Sequence, residues 1–449
     1  MNKFDIAIIG GGSAGYVAAI RAAQLGAKVA IVEKDLIGGT CLNRGCIPTK
    51  AMLAIADVMR RADRFNMEVG DVKLASVIDR KNKIVDRLRK GVEFLLRKKG
   101  VEIFTGVAKV IEPGVIEIDG NKGIESNFTI IATGSEPLIP SSFRVDGKNV
   151  ITSKEALDLD RIPESILIIG GGAVGIEFAI IFNQFSSKVT IVEMMDDILP
   201  NLKEKKITSL LSRTLESMGI DVKTKTKVKK IEVQEKGVFS VLSSGDIINT
   251  EKVLVAVGRS LNSHEFKDIG IEIDKGRIVT DERMHTNLPN TYAIGDVVGE
   301  PLFAHKAAKE GIVAAENIHG IESRMDYNAI PYCIFSHPEI AYVGITEDEA
   351  KAKGYNIRIG EFPLIANGKA LCVGESEGFV KVVASDDGTV LGVFIVGPNA
   401  SDLINLGTIA IKHQMKVDEL SDFIYPHPTL SEALKETFLD VRGEAIHKA

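Results

Sequence analysis

Two stretches of this chain, far apart in sequence, follow one plan, and that plan restricts the fold more than any other feature. Phe4–Gly15 reads FDIAIIGGGSAG and Ser165–Gly175 reads SILIIGGGAVG. Each is an apolar run entering a GxGxxG turn, with Gly10, Gly12 and Gly15 in the first copy and Gly170, Gly172 and Gly175 in the second. A helical stretch follows each turn, then a second apolar run, Lys28–Glu33 (KVAIVE) and Lys188–Glu193 (KVTIVE). Short apolar runs of this length read as buried strands of a parallel sheet. The layout is that of a dinucleotide site. The first glycine makes a tight turn, the second lets backbone approach a pyrophosphate, and the third lets helix and strand pack closely. The helix N-terminus stabilises the anion. Glu33 and Glu193, closing the two units, are placed to accept hydrogen bonds from a ribose diol. Gly-rich packing turns in two unrelated α/β units are the alternative, and the five-part match between the copies argues against it.

Two units imply two dinucleotides and a chain of several domains; 449 residues suit about three. The segment Ile166–Phe182 is apolar enough to raise the question of a membrane span. Its three adjacent glycines and the embedded Glu177 argue against one, and the repeated unit accounts for it. No signal or transit pattern precedes the first strand, so the expectation is a cytoplasmic protein without a membrane partner. The net charge of −6 contains no long like-charge block. Its most basic segments, Arg87–Lys99 and Lys223–Lys230, read as solvated faces, which argues against nucleic acid as a partner.

Four cysteines in a chain this long do not make a disulfide framework. Cys333 and Cys372 lie in apolar-alternating segments and read as small core residues. Cys41 and Cys46 stand close together just after the first unit, within Gly38–Lys50 (GGTCLNRGCIPTK). On a regular helix their offset turns the second side chain roughly 140° from the first. A disulfide holds its Cβ atoms about 4 Å apart, so the backbone must unwind between the two residues to allow one. Gly45 supplies that freedom. A short bridge of this kind is the labile, redox-active sort, and a reducing compartment leaves room only for functional bridges. The first dinucleotide lies beside this pair. A flavin can take two electrons from a dithiol and pass a hydride to a nicotinamide, so FAD is expected there. In the second unit Met194, Met195, Asp196 and Asp197 follow Glu193, with no arginine to receive a 2′-phosphate. NAD is expected rather than NADP.

GGTCLNRGCIPTK resembles the redox-disulfide motif of the flavin-dependent pyridine nucleotide–disulfide oxidoreductases, and similarity to that family runs from Asp5 to about His447. The resemblance implies that Cys41 is the interchange thiol, Cys46 the thiol facing the flavin, and Lys50 a cation of the flavin pocket. Arg44 and Thr49 depart from the residues many members carry. Thr286–Asp296 (TNLPNTYAIGD) resembles the family's second FAD motif, which implies that Asp296 accepts from the ribityl hydroxyls and that Ala304 offers a backbone contact. Ala132-Thr133-Gly134 and Val257-Gly258-Arg259 resemble the crossovers between the FAD and NAD domains, placing Gly134 and Gly258 at the cofactor sites. Ordinary strand-ending turns are the alternative there. Glu177 resembles the family glutamate near the nicotinamide, with Lys50 as its partner; the alternative is an acid favoured by the helix dipole.

Tyr425–Glu432 (YPHPTLSE) resembles the family's HPTLSE element, which implies that His427 is the acid–base catalyst and Glu432 orients it. The ordinary histidine pKa of about 6.5 suits removal of a thiol proton. Thr429 and Glu432 also spell a capping box opening a helix to Val441, and the spacing alone favours that cap, with His427 merely flanking it; Glu432 can do both jobs. Tyr425 stands where many members have a second histidine. His305 and His337 read as structural or near-cofactor residues, and no Cys, His and acid spacing suggests a metal.

The expected fold class is α/β, with two Rossmann-like dinucleotide-binding domains, for FAD and NAD, and a C-terminal α+β dimerisation domain. Residues 1–145 and 266–323 form the discontinuous FAD domain, with a long amphipathic helix near Ala75–Lys99. Residues 146–265 form the NAD domain and 324–449 the dimerisation domain, with strands at Ile330–Ile334, Phe379–Val383 and Val390–Val396. The resemblance implies a homodimer in which His427 serves the partner's site. It also implies oxidation of a protein-bound dihydrolipoyl dithiol through Cys41, Cys46 and FAD, with NAD+ as acceptor. The dithiol would arrive on a lipoylated protein of a 2-oxoacid, acetoin or glycine-cleavage complex. Glutathione-type and mercuric reductases are weaker readings, given the missing arginines after Glu193 and the absence of cysteine after Cys372. A non-catalytic flavoprotein subunit of a multienzyme complex is the remaining alternative.

Overall fold

Both glycine turns leave strands near the middle of parallel sheets. In the first sheet Asn2–Ile9 pairs in parallel with Val29–Glu33 on one side and Asn121–Ile131 on the other, and Glu102–Thr105 extends the Val29–Glu33 edge. In the second, Ser165–Ile169 lies between Lys188–Val192 and Lys252–Val255, with Asp221–Lys223 and Val150–Ile151 at the edges, all parallel. The computed structural model describes residues 2–68, 70 and 72–448. Ile6, Ala7, Ile8, Ile166, Leu167 and Ile168 are wholly buried, alternate residues pointing to opposite faces. That two-sided burial is why these strands read as unbroken apolar runs.

Asn121–Ile131 serves two partners along its length. Its first part pairs antiparallel with Val115–Ile118, which pairs with Ala108–Glu112, and its second part joins the parallel sheet. After the second sheet is complete the chain returns, and Thr291–Ala293 adds in parallel beside Asn121–Ile131. The two passages between the sheets run side by side: Ser135–Pro137 pairs antiparallel with Arg259–Leu261. The expected amphipathic helix spans Leu74–Lys98 and is tied to the second sheet's unit by the buried Lys81, whose Nζ donates to the Leu157 carbonyl at 2.8 Å. The apolar segment Ile166–Phe182 divides into strand, glycine turn and helix, and among the described residues no helix is long and apolar enough to cross a membrane.

The last third forms an antiparallel sheet in the order Tyr332–Ile334, Ile340–Gly344, Val390–Val396, Phe379–Ser385, Ile357–Pro363. Helices Ala400–Lys412 and Glu432–Val441 pack on it. The first strand starts at Tyr332 rather than at Ile330, because Pro331 has no N–H to give to a ladder. Cys372 also departs from expectation. It ends the short helix Gly368–Cys372, whose buried position is filled by Ala370, and so lies exposed on the surface; Cys333 is half-buried against the sheet's core.

Two contacts set the position of the functional residues. Helix Ser13–Gln24 meets helix Ala304–Ile318 at backbone distance: a Cβ on Gly311 would stand 2.5 Å from the Ala14 carbonyl oxygen. A single apolar core joins Met52 of helix Cys46–Arg64, Phe178 and Phe182 of helix Ala173–Gln184, and Ile334, Phe379 and Phe394 of the antiparallel sheet. All three units therefore share one packed junction, and the cysteine motif opens onto it.

Candidate active site

The two glycine turns are local copies of each other down to their hydrogen bonds. Glu33 Oε2 accepts from the Gly11 N–H at 2.7 Å, and Glu193 Oε2 accepts from the Gly171 N–H at 2.7 Å. The other carboxylate oxygen takes the N–H two residues on, Asp35 at 2.9 Å and Met195 at 2.8 Å. Burial pushes the Glu33 carboxyl up, against the pull of the Gly11 N–H and Lys34. Gly10 and Gly170 hold φ of +103° and +111°, and a Cβ on either would strike the carbonyl oxygen of Ala132 or Ala256. A Cβ on Gly15 would lie 1.9 Å from the Gly10 oxygen and one on Gly175 2.0 Å from the Gly170 oxygen. The middle glycines differ. Among the described residues other than its chain neighbours, no atom comes within 4 Å of such a Cβ at Gly172, and at Gly12 the nearest is 3.9 Å away. Of the three GxGxxG glycines, protein packing demands the first and last, while the middle one keeps a surface clear where a pyrophosphate would approach. Residues and site thus fit a dinucleotide in both units.

A loop that reads as solvated in the sequence reaches the second acid. The Lys225 N–H donates to the Met195 carbonyl and the Thr226 N–H to the Glu193 carbonyl, both at 2.9 Å, and Lys225 Nζ stands 4.0 Å from Asp196. No arginine follows Glu193, but this lysine stands beside it. Only the parallel pairing of Lys188–Val192 with Asp221–Lys223 brings the two segments together.

The cysteine motif folds as two helices broken at one residue. Helix Gly39–Arg44 ends, Gly45 leaves helical geometry, and helix Cys46–Arg64 begins. The break is tight: a Cβ on Gly45 would lie 3.0 Å from the Thr40 carbonyl oxygen and 3.3 Å from the Cys41 Cα. Both cysteines are present as thiols. The Cys41 thiol donates toward the Cys46 sulfur, which pushes Cys41 up. The same bond, helped by the Lys50 charge, outweighs burial and brings Cys46 down to about 7. Thr49 Oγ donates to the Gly45 carbonyl at 2.7 Å, and Arg44 pairs with Asp35, so both departures from the family motif brace the break.

Lys50 lies one turn beyond Cys46 and grips Glu177 with both carboxylate oxygens, at 2.8 and 2.9 Å. Its ammonium also stands 4.4 Å from the centre of the Phe335 ring, while the Phe335 N–H points to Glu177 Oε1 at 3.3 Å. Glu177 is buried, so it is not simply a helix-terminal acid in water. The redox-motif helix, the second dinucleotide helix and the antiparallel sheet meet at this ion pair.

Asp296 sits in the 3₁₀ turn Gly295–Val298 directly after Thr291–Ala293, and Ala304 opens the following helix. The Ser135 hydroxyl donates to Asp296, and Arg259 Nε approaches that hydroxyl at 2.6 Å. Gly134 and Gly258 hold φ of +71° and +125°, and the Gly134 carbonyl accepts from the Asn262 N–H at 3.0 Å, closing the double crossover.

His427 Nδ1 lies 2.9 Å from Glu432 Oε1, and Glu432 Oε2 accepts from the Thr429 N–H at 2.8 Å. Partial burial raises the Glu432 carboxyl, but the Thr429 N–H and His427 outweigh it and hold it below its ordinary range. Only half of the capping box forms. The Thr429 hydroxyl donates to the Pro426 carbonyl instead of accepting from a helix N–H, and the helix starts at Glu432. Tyr425 donates to the Leu420 carbonyl at 3.0 Å and pins the loop. The His427 side chain is 78% exposed, and among the described residues no hydrogen bond joins this dyad to Cys41 or Cys46. His337 packs against Arg60, and burial, with that charge, lowers it to about 4.

Comparison with known proteins agrees with this geometry. The profile of the pyridine nucleotide-disulphide oxidoreductases matches residues 4–311, and that of their dimerisation domain matches residues 330–438. A dihydrolipoyl dehydrogenase of Bacillus subtilis is 42% identical, with 99% of each chain covered. The mitochondrial dihydrolipoyl dehydrogenase of Pisum sativum is 37% identical over 99% of this chain and 93% of its own. Among solved structures, LpdA of Mycobacterium tuberculosis superposes with a TM-score of 0.91 at 26% identity, covering 98% of this chain and 99% of its own. The HOCl-induced flavoprotein disulfide reductase RclA of Escherichia coli superposes with a TM-score of 0.88 at 28% identity, over 97% and 99%. With two dinucleotide turns, a dithiol between them and matches along nearly its whole length, the chain belongs to the pyridine nucleotide-disulphide oxidoreductase family.

Proposed function

We propose that this protein is a dihydrolipoyl dehydrogenase, oxidising protein-bound dihydrolipoamide to lipoamide with NAD+ as final acceptor. The observation that carries the reading is the Cys41–Cys46 pair, broken at Gly45 beside a dinucleotide turn and with the Lys50–Glu177 pair one turn on. Gly10, Gly12, Gly15 and Glu33 would hold FAD, with Lys50, Gly134, Asp296 and Ala304 lining its inner part. Gly170, Gly172, Gly175 and Glu193 would hold NAD, with Gly258 and Glu177 toward its nicotinamide end. When bound, FAD accepts two electrons from the reduced pair and relays them to NAD+.

The chain's own residues supply the rest. His427 of the partner subunit, oriented by Glu432, takes a proton from one dihydrolipoyl thiol. The thiolate attacks the Cys41 sulfur of the oxidised pair, forming a mixed disulfide and releasing Cys46 as thiolate. The second dihydrolipoyl sulfur displaces Cys41, leaving the lipoyl ring closed and the protein pair reduced by two electrons. The Cys41 thiol and Lys50 lower Cys46 toward neutrality, so that its thiolate is accessible there. Three units follow from this reading: residues 1–145 with 266–323 for FAD, 146–265 for NAD, and 324–449 for the dimer contact. The lipoyl group arrives on a separate protein of a 2-oxoacid, acetoin or glycine-cleavage complex, in the cytoplasm.

The test is NADH formation from free dihydrolipoamide, run beside reduction of glutathione disulfide and of Hg(II) by NADPH. Robust turnover of dihydrolipoamide alone supports the reading, and preference for either other substrate overturns it. NAD+ should exceed NADP+ by about tenfold in kcat/KM, corresponding to roughly 1.4 kcal/mol. Equal use would mean that Lys225 offsets the preference set by Glu193.

A further inference from the structure

Helix Ala304–Ile318 carries Lys306 and Glu310 at a spacing that, in sequence, looks like a solvent-facing pair. Instead their side chains are 1% and 0% exposed and stand 3.2 Å apart. Burying two charges is costly unless further hydrogen bonds are made, and here those bonds converge on one turn. Glu310 Oε2 accepts from the Gly295 N–H at 2.8 Å. Lys306 Nζ donates to the Gly295 carbonyl at 3.3 Å and the Gly299 carbonyl at 2.9 Å. Gly295 and Gly299 hold φ of +81° and +100°, so both ends of the turn need glycine and both are gripped by the ion pair. Between them lies Asp296. Glu310's other oxygen accepts from the Tyr327 hydroxyl at 2.9 Å, reaching the segment that leads into the antiparallel sheet.

We infer that Lys306, Glu310 and Tyr327 are positioning residues for the flavin: the buried ion pair fixes the Gly295–Gly299 turn so that the Asp296 carboxylate meets the ribityl hydroxyls. The inference rests on the reading of Asp296 as a flavin ligand given above. Within the turn the Gly299 N–H donates to the Asp296 carbonyl at 2.8 Å, and the helix supplies the partners of Gly295. Clamping Gly295 by its N–H and by its carbonyl from a single rigid helix fixes the two peptide planes on either side of it, and with them the direction of the next side chain. The same helix begins at Ala304, so it carries both the clamp and the expected backbone contact.

The experiment measures FAD release from the holoenzyme by the rise of flavin fluorescence, with NAD+ affinity as an internal control. Lys306→Met/Glu310→Gln removes both charges at nearly constant volume and leaves no unpaired buried ion. It should release FAD about tenfold faster, since charged hydrogen bonds to the turn are lost, while NAD+ affinity stays at the wild-type value. Tyr327→Phe removes a single hydroxyl from a partly exposed ring, so folding is not in question. It should accelerate release by about threefold. Unchanged release from the double variant overturns the inference, as does parallel loss of FAD and NAD+ affinity, which would mark the pair as general packing. Asp296→Asn separates the two readings. If it retains FAD normally, the flavin assignment of Asp296 fails and the inference falls with it. If it loses FAD quickly while the double variant does not, the positioning role alone is wrong.

Discussion

Cys46 shows how few neighbours are needed to tune a thiol. A hydrogen bond from Cys41 and the charge of Lys50 work against burial and bring it to about 7, whereas Cys41 moves up. The sign has a direct consequence. Below about pH 7 Cys46 of the reduced protein is a thiol, and above it a thiolate held by Lys50. Thiolate absorbance of the reduced protein should therefore titrate near pH 7. Lys50→Met should move the midpoint upward, since the favourable charge is lost; a midpoint left in place would show that the Cys41 hydrogen bond acts alone. Cys41→Ser and Cys46→Ser should each retain FAD and lose dithiol oxidation, and turnover by either would remove the pair from the mechanism. The identities of these residues, and the need for a break at Gly45, are readable in GGTCLNRGCIPTK, because they depend on neighbours in sequence. The Phe335 ring over Lys50 is not, because it comes from a strand end far along the chain.

The glycine turns make the same distinction between elements. Of the three GxGxxG glycines in each turn, two answer to packing and one faces open space. Gly175→Ala should cost about 1–3 kcal/mol of stability, measured by thermal or denaturant unfolding, because its Cβ meets the Gly170 carbonyl. Gly172→Ala should leave stability unchanged and weaken NAD+ binding by about tenfold in Kd, roughly 1.4 kcal/mol. If both variants lose stability alike, the middle glycine is a packing residue. Most elements were legible because their signals are local: a buried strand reads as an apolar run, and an amphipathic helix as the periodic pattern that became Leu74–Lys98. Boundaries drifted where one residue's chemistry overrode the pattern, as at Pro331. The half-formed capping box at Thr429 was equally hidden, since the rotamer that turns its hydroxyl to Pro426 leaves no trace in the sequence.

For the whole molecule, His427 is exposed and, among the described residues, makes no hydrogen bond to the cysteine pair, so the test that matters is whether it acts across the dimer. His427→Ala should reduce turnover by about 10²–10⁴-fold with both dinucleotides still bound. Mixing Cys46→Ser with His427→Ala protomers should produce heterodimers with one intact site and about half the wild-type activity; verified heterodimers that stay inactive would place the histidine in its own subunit's site. The sequence by itself determined the two nucleotide units and the dithiol, contiguous motifs whose residues need no distant partner to be recognised. The His427–Glu432 dyad, whose local spacing alone reads as a helix cap, was legible only through the family resemblance. The Lys50–Glu177 pair expected from the family resemblance is present; only the tertiary structure decided the others, Lys225 beside Glu193 and Lys306 and Glu310 buried under the Asp296 turn. Those pairings follow from sheet order and from helices packed at backbone distance. A charged residue looks the same in sequence whether such packing leaves it in water or closes over it.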